Sequence, residues 1–116
     1  MSTKIPKARS PLETKFLFLW HKIIGGPDLE EEVTFIPGRK FRADFKLGTL
    51  LIEIEGGHWS GGRHVRGTGF EADCEKYFLA FLHGFDVVRL TSNMITEENL
   101  RKILQVAKAW NVEKQS

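Results

Sequence analysis

The run Thr49-Leu50-Leu51-Ile52-Glu53-Ile54-Glu55 constrains this chain more than any other stretch. It is short, strongly apolar and interrupted only by Glu53 and Glu55, which suits a β-strand. Leu47-Gly48 in front of it reads as a tight reversal. Behind it, residues 56–69 contain six glycines and predict a long loop rather than regular structure.

The flanking sequence fills in the other elements. Ser10-Pro11-Leu12-Glu13 is a capping box with proline at the first helical position, and Leu12, Phe16, Leu19, Trp20 and Ile23 follow at helical spacing. Gly25-Gly26-Pro27 ends that helix. Val33 to Pro37 reads as a strand and Pro37-Gly38 as a turn. Phe41 to Lys46 alternates apolar and charged residues. Three short strands joined by turns predict an antiparallel meander. Phe70 to His83 reads as a helix with Tyr77, Ala80 and Phe81 on its apolar face, Cys74 beside them and Gly84 as its C-cap. Asp86 to Leu90 is a strand. Thr96-Glu97-Glu98 opens a last helix carrying Leu100, Ile103, Leu104, Ala107 and Trp110. The predicted order is α-β-β-β-α-β-α, an α/β chain of the α+β kind, with a mixed sheet flanked by helices.

A length of 116 residues predicts one domain. It is expected over residues 10–110, between a basic N-terminal tail at 1–9 and a C-terminal tail at 111–116. The longest apolar run, Phe16 to Trp20, is far too short to span a bilayer. No apolar stretch follows the first residues, so no signal peptide is expected. A single cysteine, Cys74, excludes an internal disulfide or a cysteine-rich zinc cluster. A cytoplasmic protein with no membrane contact is the expectation.

A net charge of +2 conceals an uneven distribution. Asp28, Glu30, Glu31 and Glu32 crowd one segment. Arg39, Lys40, Arg42 and Lys46 crowd another, against only Asp44. His58, Arg63, His64 and Arg66 lie in the glycine-rich segment. Basic clusters of this kind suit a polyanionic partner or an ordinary solvated surface.

Glu53 and Glu55, two apart on a strand, point to one face. Two carboxylates at the end of an apolar strand repel and lose hydration. A divalent cation such as Mg²⁺ or Mn²⁺ removes that cost; a wet sheet edge avoids it. The Leu47-Gly48 turn brings Asp44, on the preceding strand, across from Glu53. Alone, Asp44 also suits an ion pair with Arg42 or Lys46.

An acid on one strand, a turn, and an apolar strand ending in acid-x-acid resembles the PD-(D/E)XK nuclease superfamily. The wider pattern runs from Glu13 and Leu19-Trp20 through Arg42-Ala43-Asp44-Phe45 to Leu50-Leu51-Ile52-Glu53-Ile54-Glu55-Gly56-Gly57-His58-Trp59. It continues with Asp73-x-x-Lys76 and Gly84-Phe85-Asp86-Val87-Val88-Arg89-Leu90. It is similar to very-short-patch-repair-like endonucleases and their phage relatives, and to archaeal-type Holliday junction resolvases. The resemblance covers roughly residues 10–105. It implies a restriction-endonuclease-like core and phosphodiester hydrolysis with Mg²⁺, for which Mn²⁺ substitutes. Asp44, Glu53 and Glu13 are the implied metal ligands. Glu55 and Lys76 complete the implied catalytic set. Two positions depart from the family pattern: Ala43 stands where proline is expected, and Glu55 where lysine is expected. Lys76 either reaches back to replace that lysine or pairs with Asp73 on its own helix. Glu13 is claimed both by its capping box and by the metal, and the two roles compete. The expected DNA contacts are Arg39, Lys40, Arg42, His58, Trp59, Arg63, His64 and Arg66.

The expected function is a structure-selective Holliday junction resolvase acting as a homodimer on branched DNA in the cytoplasm, a host's if a phage carries it. Trp20 and Trp110 are the expected dimer surface. The alternatives are a monomeric nicking or mismatch-type endonuclease, and a non-catalytic DNA-binding module that kept the fold.

Overall fold

In a computed structural model, which describes residues 9–56 and 68–115, the first helix α1 spans Pro11–Leu17. Its capping box is complete: Glu13 N donates to Ser10 Oγ at 3.1 Å and Ser10 N to Glu13 Oε1 at 3.0 Å. The helix does not run on as a simple α-helix. It widens into a π-helical segment, Phe18–Ile23, closed by an Ile24 N to Leu19 O bond. The wider turn rotates side chains relative to the α-helical pattern. Trp20 ends fully buried, stacked against Phe16, with its Nε1 donating to Pro27 O at 2.7 Å.

Four strands follow: β1 Glu30–Thr34, β2 Arg42–Leu47, β3 Leu50–Glu55 and, after helix α2 at Thr68–Leu82, β4 Asp86–Thr91. A 3₁₀ turn, Ser92–Met94, leads into α3 at Glu97–Gln115. The sheet order is β1-β2-β3-β4, with β1–β2 and β2–β3 antiparallel and β3–β4 parallel. Among the described residues the chain is thus α+β, with three α-helices and a four-stranded mixed sheet. Gly48, at φ 62°, makes the β2–β3 turn in a conformation that side-chain-bearing residues resist.

Leu50 and Ile52 join Phe16, Trp20, Phe45, Leu90, Ile95 and Leu100 in a core shared with α1 and α3. Leu51 packs on the other face with Ala80 of α2, Phe35, Ile36 and Ala43. Because strand side chains alternate, Glu53 and Glu55 follow Leu51 onto the α2 side.

Four expectations are corrected. The first strand is Glu30–Thr34 rather than Val33–Pro37. Its acids pair across to the basic residues of β2, Glu30 with Lys46 at 3.2 Å and Glu32 with Arg42 at 3.5 Å, and this moves the strand toward the acidic segment. Residues 111–115 are not a plain tail, since α3 runs to Gln115 with no glycine or proline to stop it. Phe81 leaves the apolar inner face of α2, which Ala80 supplies; it is 74% exposed. Trp20, wholly buried, is no dimer surface, and Trp110 packs partly buried against the core. Among the described residues, no helix is long and apolar enough to cross a membrane.

Candidate active site

The site gathers where the C-terminal end of β3, the N-terminal end of β2, β1 and the start of α1 converge. The β2–β3 register sets Phe45 opposite Ile52, and one step further faces Asp44 toward Glu53. There the side chain of Asp44 enters the ladder: its Oδ2 accepts from Ile54 N at 2.7 Å. Burial pushes the Asp44 carboxyl above its ordinary range. The Ile54 N–H opposes this, while the charges of Glu13 and Glu32 push the same way as burial.

One carboxylate oxygen from each of Glu13, Glu32 and Asp44 lies within 4.8 Å of the other two, and all three residues are partly buried. Glu13 closes its capping box and also stands beside two other carboxylates. One oxygen closes the capping box while the carboxylate still joins the acidic group. Glu32 was not expected here. The constant β1–β2 register places it opposite Asp44. It also adopts φ 53°, a left-handed conformation that costs a glutamate energy. The acidic run Glu30-Glu31-Glu32 was visible in sequence, but its register with β2 depends on the intervening residues 35–41, which fix no turn type.

Glu53 is 7% exposed, the one charged residue buried among those described. Burial raises its pKa first; Lys76 opposes that, and the charges of Asp44 and Glu55 add to the rise. Lys76 Nζ, from α2, lies 2.9 Å from Glu53 Oε2. Lys76 thus reaches back across the α2–β3 interface rather than pairing with Asp73. Glu55, half-buried, pairs with Arg89 of β4 at 2.9 Å. The Tyr77 ring lies between these two ion pairs, 5.4 Å from Lys76 Nζ and 4.9 Å from the Arg89 guanidinium. Burial, with Glu53 next, lifts the Tyr77 phenol well above its usual value and keeps it neutral. The five expected catalytic residues, Glu13, Asp44, Glu53, Glu55 and Lys76, thus lie around the ends of β2 and β3, with Glu32 added.

The expected DNA contacts fare differently. Arg39 forms a two-pronged pair with Glu75, 2.9 and 3.2 Å, and lies 4.6 Å over the Phe41 ring. Arg42 faces Glu32. The Arg39–Glu75 pair is exposed and the Arg42–Glu32 pair partly so, and such surface pairs cost little to exchange for a phosphate. Lys40 is exposed with no ion pair among the described residues. His58, Trp59, Arg63, His64 and Arg66 lie outside the described residues. Comparisons with protein-family models, with curated proteins and with solved structures return no match.

Proposed function

We propose that this chain is a metal-dependent DNA endonuclease of the PD-(D/E)XK kind, with a restriction-endonuclease-like core, acting by preference on branched DNA as a Holliday junction resolvase. The observation that carries the reading is Lys76 set 2.9 Å from a buried Glu53, beside an Asp44 that crowds Glu13 and Glu32. The motif lysine missing at Glu55 has a replacement from the next helix, at the end of the strand where the superfamily keeps it.

Asp44 and Glu53 are two neighbouring carboxylates whose pKa burial raises, so their charged forms call for a counter-charge, and hard oxygen donors suit Mg²⁺ or Mn²⁺. Asp44, with Glu13 and Glu53, would hold the ion, and Glu32 extends the donor set. Bound there, the ion would polarise the scissile phosphodiester and acidify the attacking water. The chain's own groups do the rest. The Ile54 N–H fixes the Asp44 carboxylate in place. Lys76 favours the charged form of Glu53 against its burial and sets an ammonium beside an approaching phosphate. Glu55, held by Arg89, faces the same side and orients or accepts a proton from water.

Supercoiled plasmid and a synthetic four-way junction, each with Mg²⁺ or chelator, test the reading. Cutting with Mg²⁺ alone, lost in Glu53→Gln, supports it. No cutting of either substrate, or cutting that survives the chelator, overturns it.

A further inference from the structure

Arg89 is not among the expected DNA contacts, and it is built differently from those that are. It stands on β4 beside Glu53 of β3 in the parallel register, so the two side chains leave the same face of the sheet. Its Nε donates to Glu55 Oε2 at 2.9 Å, and its guanidinium lies over the Tyr77 ring, 4.9 Å from the centre. Half of the side chain is exposed. This grip uses one edge of the guanidinium. Neither Nη donates a hydrogen bond to a described residue, and those two groups form the fork that meets two phosphate oxygens at once. Arg39 is the opposite case. It also lies over a ring, that of Phe41, but both of its Nη groups are occupied by Glu75.

We propose that Arg89 is a substrate-binding residue of the candidate site, its two Nη groups holding a backbone phosphate that flanks the scissile one while Nε stays on Glu55. Three features support that role. The first is place. Glu53 and Glu55 face the α2 side at the end of β3, and acids there repel DNA unless cations stand among them. Lys76, with 13% of its side chain exposed, serves the inner part of that surface against Glu53, and Arg89, with 50% exposed, serves the outer part. The second is preorganisation. The Tyr77 ring and the Glu55 carboxylate already fix the plane of the guanidinium, so binding a phosphate orders little that is free beforehand. The third is exchange. A phosphate arriving at Arg89 displaces no hydrogen bond to a described residue, whereas one arriving at Arg39 must break two.

The contact rests on the proposed function in that it takes DNA as the substrate, so its test reads binding rather than cutting. A short labelled duplex is titrated at one low, fixed Ca²⁺ concentration, across roughly 50–200 mM salt. Arg89→Gln is expected to weaken binding about tenfold and to lower the salt slope by about one unit. Arg89→Lys keeps the charge but not the fork, so it is expected to keep the slope and recover only part of the affinity. Arg101→Gln removes the same charge from α3, on the other face of the sheet, where Arg101 pairs with Glu97, and is expected to change neither quantity. A fall in melting temperature for Arg89→Gln with unchanged affinity makes the residue a plain sheet-edge ion pair and overturns the proposal. An equal loss in Arg101→Gln overturns it, because overall charge then explains the effect. Full affinity in Arg89→Lys overturns the two-pronged contact. A protein that binds DNA through Arg89 but never cuts it fails the proposed function and leaves this contact standing. One that cuts DNA and binds it equally well as Arg89→Gln does the reverse, and a wild type that binds no DNA overturns both.

Discussion

Glu53 and Lys76 form a pair in which each is held by the other. Their side chains are 10 and 13% exposed. A buried pair adds little net stability, but removing one partner strands the other's charge. Lys76→Met is expected to cost about 3 kcal/mol at neutral pH. The loss should shrink as pH falls through the raised Glu53 pKa, because a neutral carboxyl needs no cation. Urea titrations of both proteins at several pH values measure this. Gly26 illustrates a different constraint. A Cβ there would sit 2.5 Å from the Trp20 ring, which is itself tied to Pro27. Gly26→Ala should cost about 2 kcal/mol through overpacking, with catalysis at saturating DNA unchanged.

At the level of elements, the acidic group draws Glu13 from α1, Glu32 from β1 and Asp44 from β2. No single element holds it, so its electrostatics belong to the packing. Asp44 and Glu53 both titrate above their ordinary values. The folded state therefore binds those protons more tightly than the unfolded chain. The stability they confer is complete below about pH 4 and is lost as pH rises through their raised pKa values. At neutral pH their charges work against the fold. Asp44→Asn should consequently flatten the decline in melting temperature between pH 4 and pH 8 measured in chelator. Millimolar Mg²⁺ should raise the melting temperature of the wild type at pH 7 and leave that of Asp44→Asn nearly unmoved.

For the whole molecule, the open question is branched against linear DNA. Among the described residues a single chain gathers one such acidic group, and two nicks on opposed strands within one complex need two. A two-fold pair fixes the separation of its sites, and a junction matches that separation where a duplex does not. With Ca²⁺ blocking chemistry, the protein should hold a four-way junction well more tightly than a duplex of equal length, even under competitor DNA. Phosphate neutralisation alone cannot produce such a preference, because it is blind to branching. Equal binding to both, measured by gel shift, removes the resolvase reading and leaves a general metal-dependent nuclease.

Local rules carried much of this fold in the sequence. The capping box, the Gly48 turn and the apolar β3 run each depend on a few neighbouring residues, so helix and strand order could be read directly. The pairing of Asp44 with Glu53 was also readable, because a two-residue turn fixes which strand positions meet. Four features were not readable from the local pattern. Glu32 entered the acidic group through a β1–β2 register that no tight turn dictates. Lys76 found Glu53 rather than Asp73 because α2 packs across β3 at that height. The π-helical turn buried Trp20, and the packing of α2 by Ala80 turned Phe81 outward. A helical repeat names an apolar face, but only the neighbouring layer determines which of its residues that face covers.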